Sequence, residues 1–186
     1  MRAIVLAAVL LASAAAHADP SAEERGAAVL RRASIATYHR SMGITTWISL
    51  AATSTIGTLR YVNVIGFGRP LCAEGGSPLF GREFGCGDGH RIWHLISASF
   101  TALSYATTRI LAALMPDVGG EDPPRLRLHR ALSWVHLAGM IAMPVLGFAT
   151  ALIDDQDARD ALGTAHLFVG YGTLATLSIA ASLMAF

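Results

Sequence analysis

Four long stretches of the chain are almost free of charged residues, and this feature constrains the fold more than any other. They cover residues 41–59, 92–115, 131–153 and 161–186, and only the second contains a charged side chain, Arg109. A helix needs about 20 mainly apolar residues to cross the hydrocarbon core of a bilayer. Each stretch meets that requirement. The sequence therefore predicts an all-α integral membrane protein, an up-down bundle of four spanning helices.

Composition agrees with this class and excludes several others. Hydrophobic residues make up 53% of the chain and charged residues 15%, whereas a soluble domain carries about 25% charged residues. The net charge is only +1, so we expect no nucleic acid among the partners. The apolar stretches predict membrane lipid as a partner. All fourteen basic residues are arginines, which excludes chemistry that needs a lysine, such as Schiff-base formation or a P-loop.

The first 40 residues precede the spans and fall into two parts. Residues 1–18 combine Arg2, an apolar run and the small-x-small ending Ala16-His17-Ala18, which together predict an export signal. An uncleaved anchor is the alternative. Residues 19–40 form either an amphipathic helix at the membrane interface or a solvated helical extension. The four-helix domain then covers residues 41–186.

Histidines are distributed over all four predicted spans. Ionisable residues at membrane depth are costly, so such a distribution indicates a functional site. One histidine stands in each span or just before it: His39, His94, His129 and His166. His136 is a further histidine in the third span, and His90 belongs to a glycine-rich loop where we expect it to be solvated.

The spacing of these histidines repeats, which predicts a duplicated helical hairpin. His39 precedes Gly57 by 18 residues, and His129 precedes Gly147 by the same interval. Alternate helices of an up-down bundle run parallel. His39 and His129 therefore belong near one membrane face, and the histidines of the second and fourth spans, His94 and His166, near the other.

A flat macrocycle between two such helices would receive one axial nitrogen from each side, as haem iron does from imidazoles. No carboxylate lies in any span, so a di-iron site is excluded, and two ligands at one depth are too few for zinc. We expect a haem at each pair, with iron ligands His39 and His129 in one site and His94 and His166 in the other. His136, two turns deeper than His129, is the alternative ligand to it.

Arg40 and Arg130 directly follow two of the histidines. They could form charge-assisted bonds to haem propionates, or they could be arginines that reach from a helix end to the interface. Both interpretations are consistent with the sequence.

The chain resembles the cytochrome b561 family over residues 38–186. The residues that carry the resemblance are His39-Arg40, His94, His129-Arg130 and His166. The resemblance implies two b-type haems, one near each membrane face, with the ligand pairs given above. It also implies transmembrane electron transfer as the activity of an oxidoreductase, with a quinol or a soluble redox carrier as partner. The alternative is a haem-free four-helix membrane transport or assembly subunit, whose histidines relay protons or pack. A homodimer is compatible with either.

The predicted location is a bacterial-type inner (cytoplasmic) membrane, in which the chain is multi-pass. Cys72 and Cys86 lie in the first loop and could form a disulfide in an oxidising compartment. A cleaved signal places this loop in the cytoplasm. The distribution of arginines and the cysteines themselves favour the opposite side.

Overall fold

The computed structural model describes residues 21–185, which contain five α-helices. They are α1 (Ala22–Val64), α2 (Gly81–Cys86), α3 (Asp88–Ala113), α4 (Pro124–Leu152) and α5 (Gln156–Ala185). A short 3-10 turn, Gly66–Gly68, follows α1. No strand occurs in this part of the chain, so the all-α prediction is confirmed here. The predicted signal at residues 1–18 lies outside the described residues.

Helix α1 is continuous over 43 residues and joins two segments that the sequence analysis separates at residue 40. It begins with a capping box, in which the Ser21 hydroxyl accepts the Glu24 N–H and the Glu24 carboxylate accepts the Ser21 N–H. These bonds lower the pKa of Glu24 below its usual range. No proline interrupts α1, and most side chains of residues 22–40 are exposed. This segment is therefore a helical extension of the first predicted span.

The four long helices pack as two pairs, with further contacts between the pairs. Helix α1 packs along α3, α4 packs along α5, and α1 also contacts α5. Three side-chain hydrogen bonds join α1 to α5: Trp47 to Ser178 (2.8 Å), Thr58 to Tyr171 (2.7 Å) and Tyr61 to Thr164 (2.9 Å). Helix α1 therefore makes extensive contact with the second pair.

Polar side chains are buried between the helices, and large apolar side chains face outward. A soluble protein has the opposite distribution. Leu152 is 80% exposed and Leu103 70% exposed, and many other large apolar residues are likewise on the surface. The buried polar side chains are Thr46, Ser49, Thr53, Asn63, His90, Thr101, Ser104, Thr108, His136 and Thr173. So extensive an apolar exterior indicates a surface that contacts a membrane or another protein.

Two helices, α4 and α5, are long and apolar enough to cross a membrane by length and composition. This favours association with a membrane. Helices α1 and α3, which contain the other two predicted spans, are less apolar because they carry many threonines and serines. Composition alone thus distinguishes the two pairs of helices.

Five of the hydroxyl residues in α1 and α3 lie buried between the two helices, and we call them the hydroxyl seam: Thr46, Thr53, Thr101, Ser104 and Thr108. The Thr46 oxygen lies 3.2 Å from the hydroxyls of both Ser104 and Thr108, and the Thr53 oxygen lies 3.0 Å from that of Thr101. Thr46 also donates to the carbonyl of Met42 in its own helix. The polar interior is therefore satisfied largely by hydroxyl–hydroxyl and hydroxyl–carbonyl bonds.

Helices α4 and α5 approach closely where Gly139 meets Thr173. A Cβ atom on Gly139 would lie 2.0 Å from the Thr173 oxygen, which donates to the Val169 carbonyl and so has little freedom to move. We expect Gly139→Ala to lower the free energy of unfolding by about 1–3 kcal/mol, because the two helices must separate. Thermal unfolding in detergent, followed by circular dichroism, measures the change.

Gly172→Ala is the matched control, since a Cβ at that position meets nothing within 4 Å. It should be neutral or should stabilise α5 by up to about 1 kcal/mol through helix propensity. Equal melting temperatures for the two variants would contradict the close approach.

Candidate functional site

Two pairs of histidine rings face each other between the two helix pairs. The ring centres of His39 on α1 and His129 on α4 are 6.4 Å apart, and those of His94 on α3 and His166 on α5 are 6.1 Å apart. In both pairs the ring planes are nearly perpendicular, at 81° and 82°. All four side chains are half-buried. These are the same pairs that the sequence spacing predicts.

Backbone carbonyls orient the rings of the first pair. His39 Nδ1 lies 3.0 Å from the carbonyl oxygen of Thr108, and His129 Nδ1 lies 2.9 Å from that of Ala180. A carbonyl only accepts, so Nδ1 carries the proton and Nε2 keeps its lone pair. His129 and Ala180 follow His39 and Thr108 by 90 and 72 residues. The histidines of the predicted repeat have these same offsets, so the two bonds are equivalent.

The second pair shows the same arrangement on one side only. His166 Nδ1 lies 2.9 Å from the carbonyl oxygen of Met143. The equivalent carbonyl for His94 is that of Thr53, which lies close to the ring. However, His94 Nδ1 is buried and makes no hydrogen bond. Three of the four rings therefore have a fixed tautomer with a free Nε2.

Two glycines make room for the second pair. A Cβ on Gly57 would lie 2.8 Å from Cε1 of His94, and a Cβ on Gly147 would lie 3.3 Å from Cε1 of His166. These are the glycines that the repeat places 18 residues after His39 and His129. Each glycine thus follows a histidine of the first pair by 18 residues and makes room for a histidine of the second pair. This close approach is a structural reason for the repeated interval.

The two histidine pairs lie at different levels along the helices. His39 is beside Thr108, and His94 is near the other end of α3, 14 residues away. That interval corresponds to about 21 Å along a helix axis. The hydrocarbon core of a bilayer is about 30 Å thick. The levels are therefore separated by most of a membrane thickness.

His136, the alternative partner of His39 in the sequence analysis, makes a different contact. Its Nδ1 lies 2.8 Å from the hydroxyl of Tyr105, and both side chains are 5% exposed. The ring opposite His39 is that of His129. His136 instead contributes a polar link between α3 and α4.

Two further arginines lie near the histidine pairs, besides the two singled out by the sequence. Arg40 and Arg130 are both exposed, and Arg130 is ion-paired with Asp122. Arg109, which had no assigned role, lies over the ring of Trp134 at 5.5 Å. Arg60 was missed altogether, and it is half-buried near His94. The available signal was its place directly after the charge-free stretch 41–59.

The expectation that His90 is solvated is wrong. His90 is 2% exposed, its Nε2 lies 3.1 Å from the carbonyl oxygen of Ile56, and its ring stacks on Phe84. The physical reason is that the preceding loop folds back over the end of α1. The fully buried Asn63 holds this loop, because its amide donates to the carbonyls of Leu79 and Gly85 and its oxygen accepts the Leu79 N–H.

The same loop contains a disulfide between Cys72 and Cys86, with Cα atoms 5.7 Å apart. Arg82 lies inside the closed ring and donates to the carbonyls of Cys72, Ala73 and Gly76. The crosslink and these hydrogen bonds restrict the conformation of the loop, which lies at the end of the helices where His94 is found.

Each histidine site offers two nitrogen ligands and no more. Among residues 21–185, no group of three or more His, Cys, Asp or Glu side chains could hold a metal ion. Comparisons of the chain with protein-family models, curated proteins and solved structures found no match. What the chain does must therefore be argued from these residues.

The crosslink gives a direct test of the loop. Replacing Cys72 and Cys86 together by serine should lower the free energy of unfolding by roughly 3 kcal/mol, because closing a loop of this length restricts the unfolded chain. Thermal unfolding in detergent, with and without reductant, measures this.

A labelling assay complements it. Denatured wild-type protein should react with a thiol reagent only after reduction, whereas the single variant Cys72→Ser should react without it. Two reactive thiols in unreduced, freshly isolated protein would show that the bond is absent in the cell.

Proposed function

We propose that this chain is a membrane b-type cytochrome, similar to the cytochrome b561 family, that relays electrons through two bis-histidine haems. The distance between the rings carries the proposal. An imidazole nitrogen bonds a transition metal at about 2 Å, and the ring centre lies roughly 1 Å behind it, so two rings on opposite sides of one iron have centres about 6 Å apart. The observed separations are 6.4 and 6.1 Å.

The donor atoms also suit haem. With Nδ1 bound to a carbonyl, His39, His129 and His166 each keep a free Nε2 lone pair. Such a second bond fixes the orientation of a ligating imidazole and raises its basicity. Two nitrogens per site match the axial positions of haem iron and leave four equatorial positions to a porphyrin. Zinc would require more protein ligands at each site.

The distribution of polarity supports a four-helix membrane bundle built from a duplicated hairpin. The exterior of the helices is apolar, and α4 and α5 are long enough to span. Helices α1 and α3 contain more hydroxyls, but those of the hydroxyl seam are bonded between the helices or to carbonyls of their own helix. Such internal bonding lets hydroxyl residues reside in a bilayer. We place the protein in a bacterial-type inner membrane.

In this proposal the bound haems supply one-electron redox couples at two levels. His39 and His129 would hold the haem iron at one level, and His94 and His166 would hold it at the other. With two histidines on each iron, the chemistry supplied would be electron relay and not binding of oxygen or a substrate. The levels are about 21 Å apart along α3, so the two sites connect one membrane face to the other. A quinol or a soluble redox carrier is the proposed partner.

Haem content tests the proposal most directly. Protein purified in detergent from haem-replete cells should contain about two b-type haems per chain with a low-spin reduced spectrum, because each iron has two imidazole ligands. His94→Ala and His166→Ala should each remove the same redox component, and the double variant should lose little more, since members of one ligand set are non-additive. His39→Ala and His129→Ala should remove the other component.

His136→Ala is the matched control for that series, because His136 is bound to Tyr105 and is a member of neither pair. It should retain both components. Loss of the same component from His39→Ala and His94→Ala would contradict the pairing.

A second test uses the room that Gly57 leaves for His94. Gly57→Ala should displace the ring, because its Cβ would lie 2.8 Å from Cε1, and should weaken or broaden only the component of the His94 and His166 pair. Potentiometric titration followed at the haem absorbance measures both components. Gly172→Ala, in open space, should leave both unchanged. Loss of the other component instead would reverse the assignment of levels.

The hydroxyl seam supports a second candidate, a haem-free transport subunit. Its oxygens form two groups along α1 and α3, one around Thr46 and one at Thr53 and Thr101, with 3.0–3.2 Å between the oxygens inside each group. Hydroxyls at hydrogen-bonding distance can pass protons within such a group. The haem measurement separates the candidates. Colourless protein from haem-replete cells would favour the transport subunit.

A further inference from the structure

Arg60 carries a charge whose partner is missing from the described residues. Its Nη1 atom is buried and makes no hydrogen bond. The carboxylate that acts on it, that of Asp88, is paired instead with Arg91 at 3.1 Å. Leaving a buried cationic donor unpaired is costly. The arrangement therefore calls for an anion next to Arg60.

The position of Arg60 says where that anion would be. Arg60 follows Gly57 by three residues, about one helical turn, and the ring of His94 fills the space that Gly57 leaves. The guanidinium is also close enough to His94 to act on its ring electrostatically. Arg60 is thus at the rim of the site formed by His94 and His166.

We propose that Arg60 binds a carboxylate of the porphyrin held between His94 and His166, namely one propionate group. This inference rests on the proposed function. The planar guanidinium matches a carboxylate with two parallel N–H···O bonds, which is the geometry a propionate offers. The residue at the equivalent place in the repeat, 90 positions later, is Thr150. Thr150 follows Gly147, which makes room for His166, so it lies on the other side of the same site, where Arg60 has no charged counterpart from the second half of the repeat.

A cation at one site also affects its redox behaviour. Positive charge near an iron favours the reduced state, which has one positive charge fewer. In the otherwise native protein, Arg60→Leu should therefore lower the reduction potential of the His94 and His166 component and leave the other component unchanged. Equal shifts of both components, or none, would overturn the assignment.

Binding of a porphyrin with blocked carboxylates gives the sharper test. The full chain carrying His39→Ala and His129→Ala retains one site and is prepared from haem-deficient cells. It is titrated in detergent with haemin and with haemin dimethyl ester, and the Soret absorbance gives the two dissociation constants. We expect haemin to bind roughly tenfold more tightly, as one charge-assisted bond pair predicts. Adding Arg60→Leu should abolish this preference by weakening haemin binding alone.

Arg69→Leu is the matched control, since Arg69 is an exposed arginine shortly after the end of α1. It should keep the preference for haemin. Unchanged binding of the dimethyl ester to the Arg60→Leu protein shows that the site is still folded, and Arg60→Gln provides a second, more conservative variant.

Each other outcome has a distinct meaning. An undiminished preference for haemin in Arg60→Leu and Arg60→Gln would overturn the role of Arg60, as expected if it binds a lipid phosphate instead. Equal loss of haemin and ester binding would overturn it as well, in favour of a structural role. If neither porphyrin binds even with Arg60 present, the proposed function fails together with this inference.

Discussion

The arrangement of this protein depends on hydrogen bonds between imidazole Nδ1 atoms and backbone carbonyls. His39 and His129 bind carbonyls on the neighbouring helix of their own pair, and His166 does the same. Each bond fixes the rotation of a helix about its axis and its register along the neighbour. These bonds hold both rings of the 6.4 Å pair and the His166 ring of the 6.1 Å pair opposite partners on helices of the other pair. Without these bonds, neither the tautomer of the rings nor their orientation toward each other would be defined.

Much of the fold and of the candidate site could be predicted from the sequence. The charge-free stretches fix where helices occur, and the interval between histidines fixes their depth, because a helix rises by a constant 1.5 Å per residue. Depth and direction together determine which histidines can meet. The pairings of His39 with His129 and of His94 with His166 follow from that argument.

The remaining features depend on helix rotation and on the course of loops, which depth does not specify. Tyr105 and His136 meet because α3 and α4 turn particular faces toward each other. His90 is buried because Asn63 anchors the loop that follows α1. Local spacing contains no information about such contacts between distant parts of the chain.

The two helix pairs differ in how they are connected, and this has a consequence for how the chain assembles. Helices α4 and α5 are joined by three residues, whereas the stretch between α1 and α3 includes a long loop closed by a disulfide. Contacts between elements close in sequence form quickly, while closing a long loop has an entropic cost. We therefore expect α4 and α5 to associate first and to present His129 and His166 in place. The first hairpin then docks on this template, and crosslinking of its loop follows at the pace of thiol oxidation.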